Sequence, residues 1–168
     1  HNGNQVINLH DFLATELRDP RNAAHRARFE RFVEPGSQNA FSIAKRSGDP
    51  TQLMSVALNF PLTKAGTEAA ELAAELLVDH AAWLPAALIY KGLLRDTGVA
   101  TCSSKPGRAL WLTALGAFHS AGFATDYSAL SKQIDQCPLF SEEEKIKLDS
   151  IASASVSPPT TWTFFDKH

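Results

Sequence analysis

Apolar residues recur every three or four positions through most of the chain, and proline, glycine or a capping side chain repeatedly cuts the pattern. "NLHDFLATELRDP" opens on Asn8 as N-cap, with Asp11 three residues later, and stops at Asp19-Pro20. Asp19 then caps "RNAAHRARFERFVE", with Pro20 at the first helical position, and Pro35-Gly36 ends that helix. "NAFSIAKRS" runs to Gly48. "DPTQLMSVALNF" restarts on Asp49, Pro50 and Gln52, and Pro61 stops it. "TEAAELAAELLVDHAAW" follows, opened by Thr63 or Thr67. Pro85 opens "PAALIYKGLLRDTG", Pro106 opens "GRALWLTALGAFHSAG", and Gly98 and Gly122 close them. "TDYSALSKQIDQC" comes next, then "SEEEKIKLDSIAS" with a capping box of Ser141 and Glu144. Strict alternation never persists, so the pattern predicts an all-α chain of about nine short helices. They form stacked antiparallel pairs or an irregular bundle, over a single domain from 1 to 156. Residues 157–168 read as an extended aromatic tail, with Trp162, Phe164 and Phe165 after a Pro-Pro break.

Three stretches read as helix–turn–helix pairs: Ala40 to Leu58, Glu68 to Leu94 and Arg108 to Ile134. "AALIYKGLLRDTG" followed by "GRALWLTALGAFHSAGFA" resembles the alternation of Sel1-like and tetratricopeptide repeats. The resemblance covers about residues 40–134. It implies a stacked-helix scaffold that binds another protein on a concave face.

Length and composition change this picture little. At 168 residues the chain is long enough to bury a core without metal or disulfide help. The apolar fraction is 44% and the formal net charge −2, which gives no bias toward nucleic acid or membrane. No run reaches the ~18 apolar residues of a membrane span. The chain begins at His1 and not at methionine, which reads as a removed leader or a shortened chain.

The two cysteines matter more. Cys102 follows a turn, and Cys137 continues the helix face of Tyr127, Leu130 and Ile134. Neither belongs to a redox or zinc pattern. A Cys102–Cys137 bond is therefore expected, with two separate buried thiols as the plain alternative. A bond places the protein in the periplasm or outside the cell.

Candidate surfaces are two charged helices. Arg21, His25, Arg26 and Arg28 form a basic stretch edged by Phe29, Phe32 and Val33. Arginine forks suit carboxylate or phosphate, but the chain as a whole is not basic: plain surface charge is the bland reading, an acidic protein partner the functional one, and nucleic acid is not expected. Glu68, Glu71, Glu75 and Asp79 form an acidic stripe, with Ala69, Leu72, Ala73 and Leu76 opposite. Its plain reading is the solvated face of an amphipathic helix.

Catalytic signals are sparse. His80 and His119 are the histidines that could serve a hydrolase with a carboxylate and Ser103 or Ser104, but no G-x-S-x-G elbow, P-loop, H-E-x-x-H or EF-hand loop occurs. An amino-terminal histidine such as His1 can chelate copper with a second histidine, yet the enzymes that use this are β-sandwiches. No metal or cofactor is expected. The resulting expectation is an exported protein-binding domain, such as a periplasmic inhibitor or toxin-immunity protein. The alternatives are a small hydrolase and a structural subunit.

Overall fold

The computed structural model describes residues 16–17, 19–97 and 105–146. Among these, every regular element is helical. A 3-10 helix at Pro20–Asn22 precedes six α-helices: α1 (Ala23–Ser47), α2 (Pro50–Asn59), α3 (Lys64–Asp79), α4 (Trp83–Thr97), α5 (Lys105–Ser120) and α6 (Ala124–Asp135). Residues 142–146 add a further helical turn. Packing follows chain order, with α1 on α2, α4 on α5 and α5 on α6. The chain divides into two compact units, and the boundary between Leu76 and Leu77 falls within α3. Of the expected helix from Asn8, Glu16 and Leu17 are helical while residues 8–15 lie outside the described residues, as does the aromatic tail at 157–168.

The largest departure from the expected elements is at Pro35. The sequence pattern has two helices meeting there, but α1 runs unbroken through it for 25 residues. Proline removes one backbone donor and crowds the preceding turn. Two side-chain bonds tie the turns on either side together. Ser37 Oγ donates to the Glu34 carbonyl at 2.9 Å, and Gln38 Nε2 donates to Glu34 Oε1 at 2.7 Å. Immediately after the proline a buried stripe begins: Ser37, Phe41 and Ala44, at steps of four and three. This inner half packs on α2, whose Leu53 and Val56 are buried. Burying a side chain such as Leu53 contributes about 1.5–3 kcal/mol.

Several of the predicted stops and starts hold elsewhere, but Pro20–Asn22 forms a 3-10 turn so that Asn22 and not Asp19 precedes α1, α4 begins at Trp83 ahead of Pro85, and Gly98 lies outside the described residues. Gly48 takes φ 65° at the end of α1, a left-handed position that glycine accepts without Cβ strain. Asp49 caps α2, its carboxylate accepting from Thr51 N–H at 2.8 Å, with Pro50 at the first position. Thr63 caps α3. Its hydroxyl accepts from Gly66 N–H at 3.0 Å and donates to the Phe60 carbonyl at 2.9 Å. Here the chain comes so close to itself that a Cβ on Gly66 would sit 1.9 Å from the Phe60 oxygen.

In the second unit α5 presents Trp111, Ala114, Leu115 and Phe118 as one buried stripe. Ala86, Tyr90 and Leu93 of α4 and Leu130 and Ile134 of α6 are buried too. A Schellman turn ends α5. Phe123 N–H bonds the Phe118 carbonyl at 2.8 Å, Gly122 N–H bonds the His119 carbonyl at 3.1 Å, and the Phe118 and Phe123 rings stack at 6.2 Å. The same hydrogen-bond pattern ends α3 at Ala81, which accepts φ 56° in place of the usual glycine. The Ser141–Glu144 capping box is formed in both directions, and Glu144 also pairs with Arg108 of α5.

Candidate functional site

The basic stretch is the outer half of α1. Its entrance is fixed by Asp19, whose carboxylate accepts from Arg21 N–H at 2.9 Å and from Arg21 Nε at 3.0 Å. The Arg21 side-chain bond is the main cause holding the Asp19 carboxyl below its ordinary pKa. Arg21 is therefore already committed to Asp19. From Ala23 to Arg28 every residue is exposed, and Arg31, Phe32, Pro35 and Gly36 are exposed beyond them. His25, Arg28, Phe29 and Phe32 lie at steps of three, one and three, which puts them on one helix face. Phe32 is 89% exposed. Arg26 reaches Glu30 at 3.4 Å, whereas Arg28 and Arg31 make no ion pair among the described residues.

The acidic stripe lies on α3. Ala69 and Ala73 are fully buried, so the helix is amphipathic as expected. Glu75 and Asp79 are exposed, while Glu71 is half-buried. Burial, and then the charges of Glu75 and Glu68, push the Glu71 carboxyl above its ordinary pKa. Glu68 is partly neutralised by Lys64 at 3.5 Å. No hydrogen bond or ion pair joins this stripe to the arginines among the described residues, so the two candidate surfaces remain separate features.

The catalytic candidates do not assemble. His80 is exposed in the turn after α3. His119 lies against the Tyr127 ring at 5.6 Å, and its buried Nε2 has no hydrogen-bond partner among the described residues. His1, Ser103 and Ser104 fall outside those residues. No group of three or more metal-ligating side chains occurs among the described residues. No described helix is long and apolar enough to cross a membrane. Cys137 is 3% exposed, and no described cysteine is free. Cys102 lies outside the described residues.

Phe32 and Arg31 are the residues that sequence reasoning undervalued. The spacing of Phe29, Phe32 and Val33 reads as an apolar edge, and only the three-dimensional arrangement shows Phe32 to be 89% exposed. The chain matches no protein-family model, no curated protein and no solved structure.

Proposed function

We propose that the protein is an exported recognition domain that holds an acidic protein partner through the outer half of α1. The observation that carries this reading is the exposure of that half-helix, with Phe32 at 89%. A free helix of this length is marginal in water. Here the buried stripe Ser37, Phe41 and Ala44 anchors it. It thus presents a preformed arm with an aromatic residue among arginines, a pairing typical of binding hot spots. A helix with an apolar face docks by laying that face into a partner's groove, and the flanking arginines select an acidic rim. The acidic stripe of α3 is a second surface, suited to a basic part of a partner. The resemblance to Sel1-like and tetratricopeptide repeats, with helices packed in chain order, fits a scaffold for such contacts. A periplasmic inhibitor or immunity protein is the kind of molecule this describes. The Cys102–Cys137 bond belongs to the same reading and places the protein in an oxidising space.

The test is affinity capture with the whole chain and with Arg26→Glu/Arg28→Glu/Arg31→Glu. Exposed substitutions of this kind leave folding within about 0.5 kcal/mol. Recovery of an acidic partner should fall at least tenfold while circular dichroism and melting stay the same. Equal recovery by both proteins removes the arm from the account.

A further inference from the structure

The face of α1 that carries Phe32 does not stop at the proline. Phe29, Phe32, Gly36, Asn39 and Ile43 follow one another at steps of three, four, three and four. That spacing keeps one side of a helix in line with a second helix packed along it. At about 3.6 residues per turn the line runs roughly a third of a turn away from Ser37, Phe41 and Ala44, the stripe that packs on α2. Phe29 is half-buried, and the other four residues are exposed. Phe32 is 89% and Ile43 52% exposed, so apolar surface stands open on both sides of Pro35. This seam spans about four turns, or roughly 21 Å.

Gly36 gives the second indication. Glycine is a poor helix former, and here it directly follows a proline. Gly48 and Gly122 take positive φ, and Gly66 passes close to the Phe60 carbonyl. Gly36 has no such duty: a Cβ on it would meet nothing within 4 Å. A missing side chain in the middle of an exposed seam lets another backbone approach closely. Asn39, three residues on, is a polar residue within the seam, a device that fixes the register of paired helices.

Charge selects the occupant. Arg28 and Arg46 border the seam near its two ends, and neither makes an ion pair among the described residues. Arg46 Nε donates to the Ser42 carbonyl at 3.3 Å, a bond within the helix that leaves its charge uncompensated. The two carboxylates of α1, Glu30 and Glu34, lie toward the packed side and are held by Arg26 and Gln38. A second copy of the chain would set these cations against one another in either orientation, which is unfavourable.

We propose that the seam pairs with a single acidic amphipathic α-helix of another protein. Its apolar residues lie against Phe32 and Ile43, its backbone comes close at Gly36, and its carboxylates meet Arg28 and Arg46. This rests on the recognition role proposed for α1, and it adds the partner's element and the extension of the contact beyond Pro35.

The probe is a synthetic peptide of four heptads, with leucine and alanine at the two seam positions and glutamate beside them. Its twin carries lysine in place of glutamate. Fluorescence anisotropy with the full chain should show saturable binding of the glutamate peptide, one per chain, with a gain of helical circular dichroism. The lysine peptide should not bind. Gly36→Gln introduces no clash within the chain, so the melting temperature should hold or rise while peptide affinity falls at least fivefold. Ile43→Glu should lower the affinity roughly tenfold or more. The proposal is overturned by absent or unsaturable binding of the glutamate peptide, or by undiminished affinity in either folded variant. In those cases a loss of captured partner by Arg26→Glu/Arg28→Glu/Arg31→Glu leaves the outer arm its recognition role. Equal peptide binding by that triple variant and the wild type overturns both. A wild-type dimer in sedimentation that Ile43→Glu dissociates gives the seam to a second copy and likewise overturns the proposal.

Discussion

Glu71 is half-buried on α3, one turn after Glu68 and one turn before Glu75. Burial and these two charges raise its pKa, so the folded chain holds the proton to higher pH than the unfolded chain does. The folded state then binds more protons than the unfolded one, and stability falls as pH rises through the raised value. Below the ordinary value of 4.5 both states are protonated and the penalty vanishes. Glu71→Gln should therefore raise the melting midpoint at neutral pH, by on the order of 1–2 °C given solvent screening, with no gain near pH 4. Melting curves of both proteins at the two pH values decide it, and an equal difference at both contradicts burial and neighbouring charge as the cause. Glu144 behaves in the opposite sense: the Ser141 backbone bond holds its carboxyl low, so its contribution is lost on acidification. Of the two, only the Glu144 role is legible in the sequence. A capping box is a local pattern, whereas the half-burial of Glu71 is set by the rest of the fold.

At the level of elements, caps and stops are legible because each depends on one or two neighbouring residues. Asp49, Thr63, Gly48 and Gly122 all act where the sequence places them. Pro35 is legible only in part. It does not end the helix, but it marks where α1 changes from an exposed arm to a packed half, because the buried stripe begins at Ser37. No local rule distinguishes a proline bridged by Ser37, Gln38 and Glu34 from one that breaks a helix. Beyond α6, Cys137 is buried next to Phe140, over which Arg108 of α5 lies at 5.2 Å. A bond from Cys137 to Cys102 would close a 35-residue loop around α5 and α6, for which chain entropy predicts roughly 4 kcal/mol. The intact mass of the untreated, denatured protein should rise by two hydrogens on reduction. Alkylation of both thiols before any reductant is added excludes the bond and the compartment inferred from it.

Across the whole molecule, the helical class follows from periodicity and composition, and the described residues bear it out. The functional surfaces are less accessible to sequence reasoning. Trp111 reads as a core residue and is one, but its burial depends on how α4 and α6 flank α5. Phe32 reads as part of an apolar edge, and its 89% exposure is not encoded in that pattern. Both cases turn on what a side chain meets far along the chain, which spacing alone does not encode. The exposed arm of α1 is the centre of the functional account. Its most direct test is a photo-crosslinking residue at position 32, with a control at Glu142, whose side chain is 83% exposed on the other unit. Position 32 should capture one acidic protein from the secreted or periplasmic fraction, and position 142 should not. No adduct at position 32, or the same adduct from both positions, contradicts the recognition role of the arm.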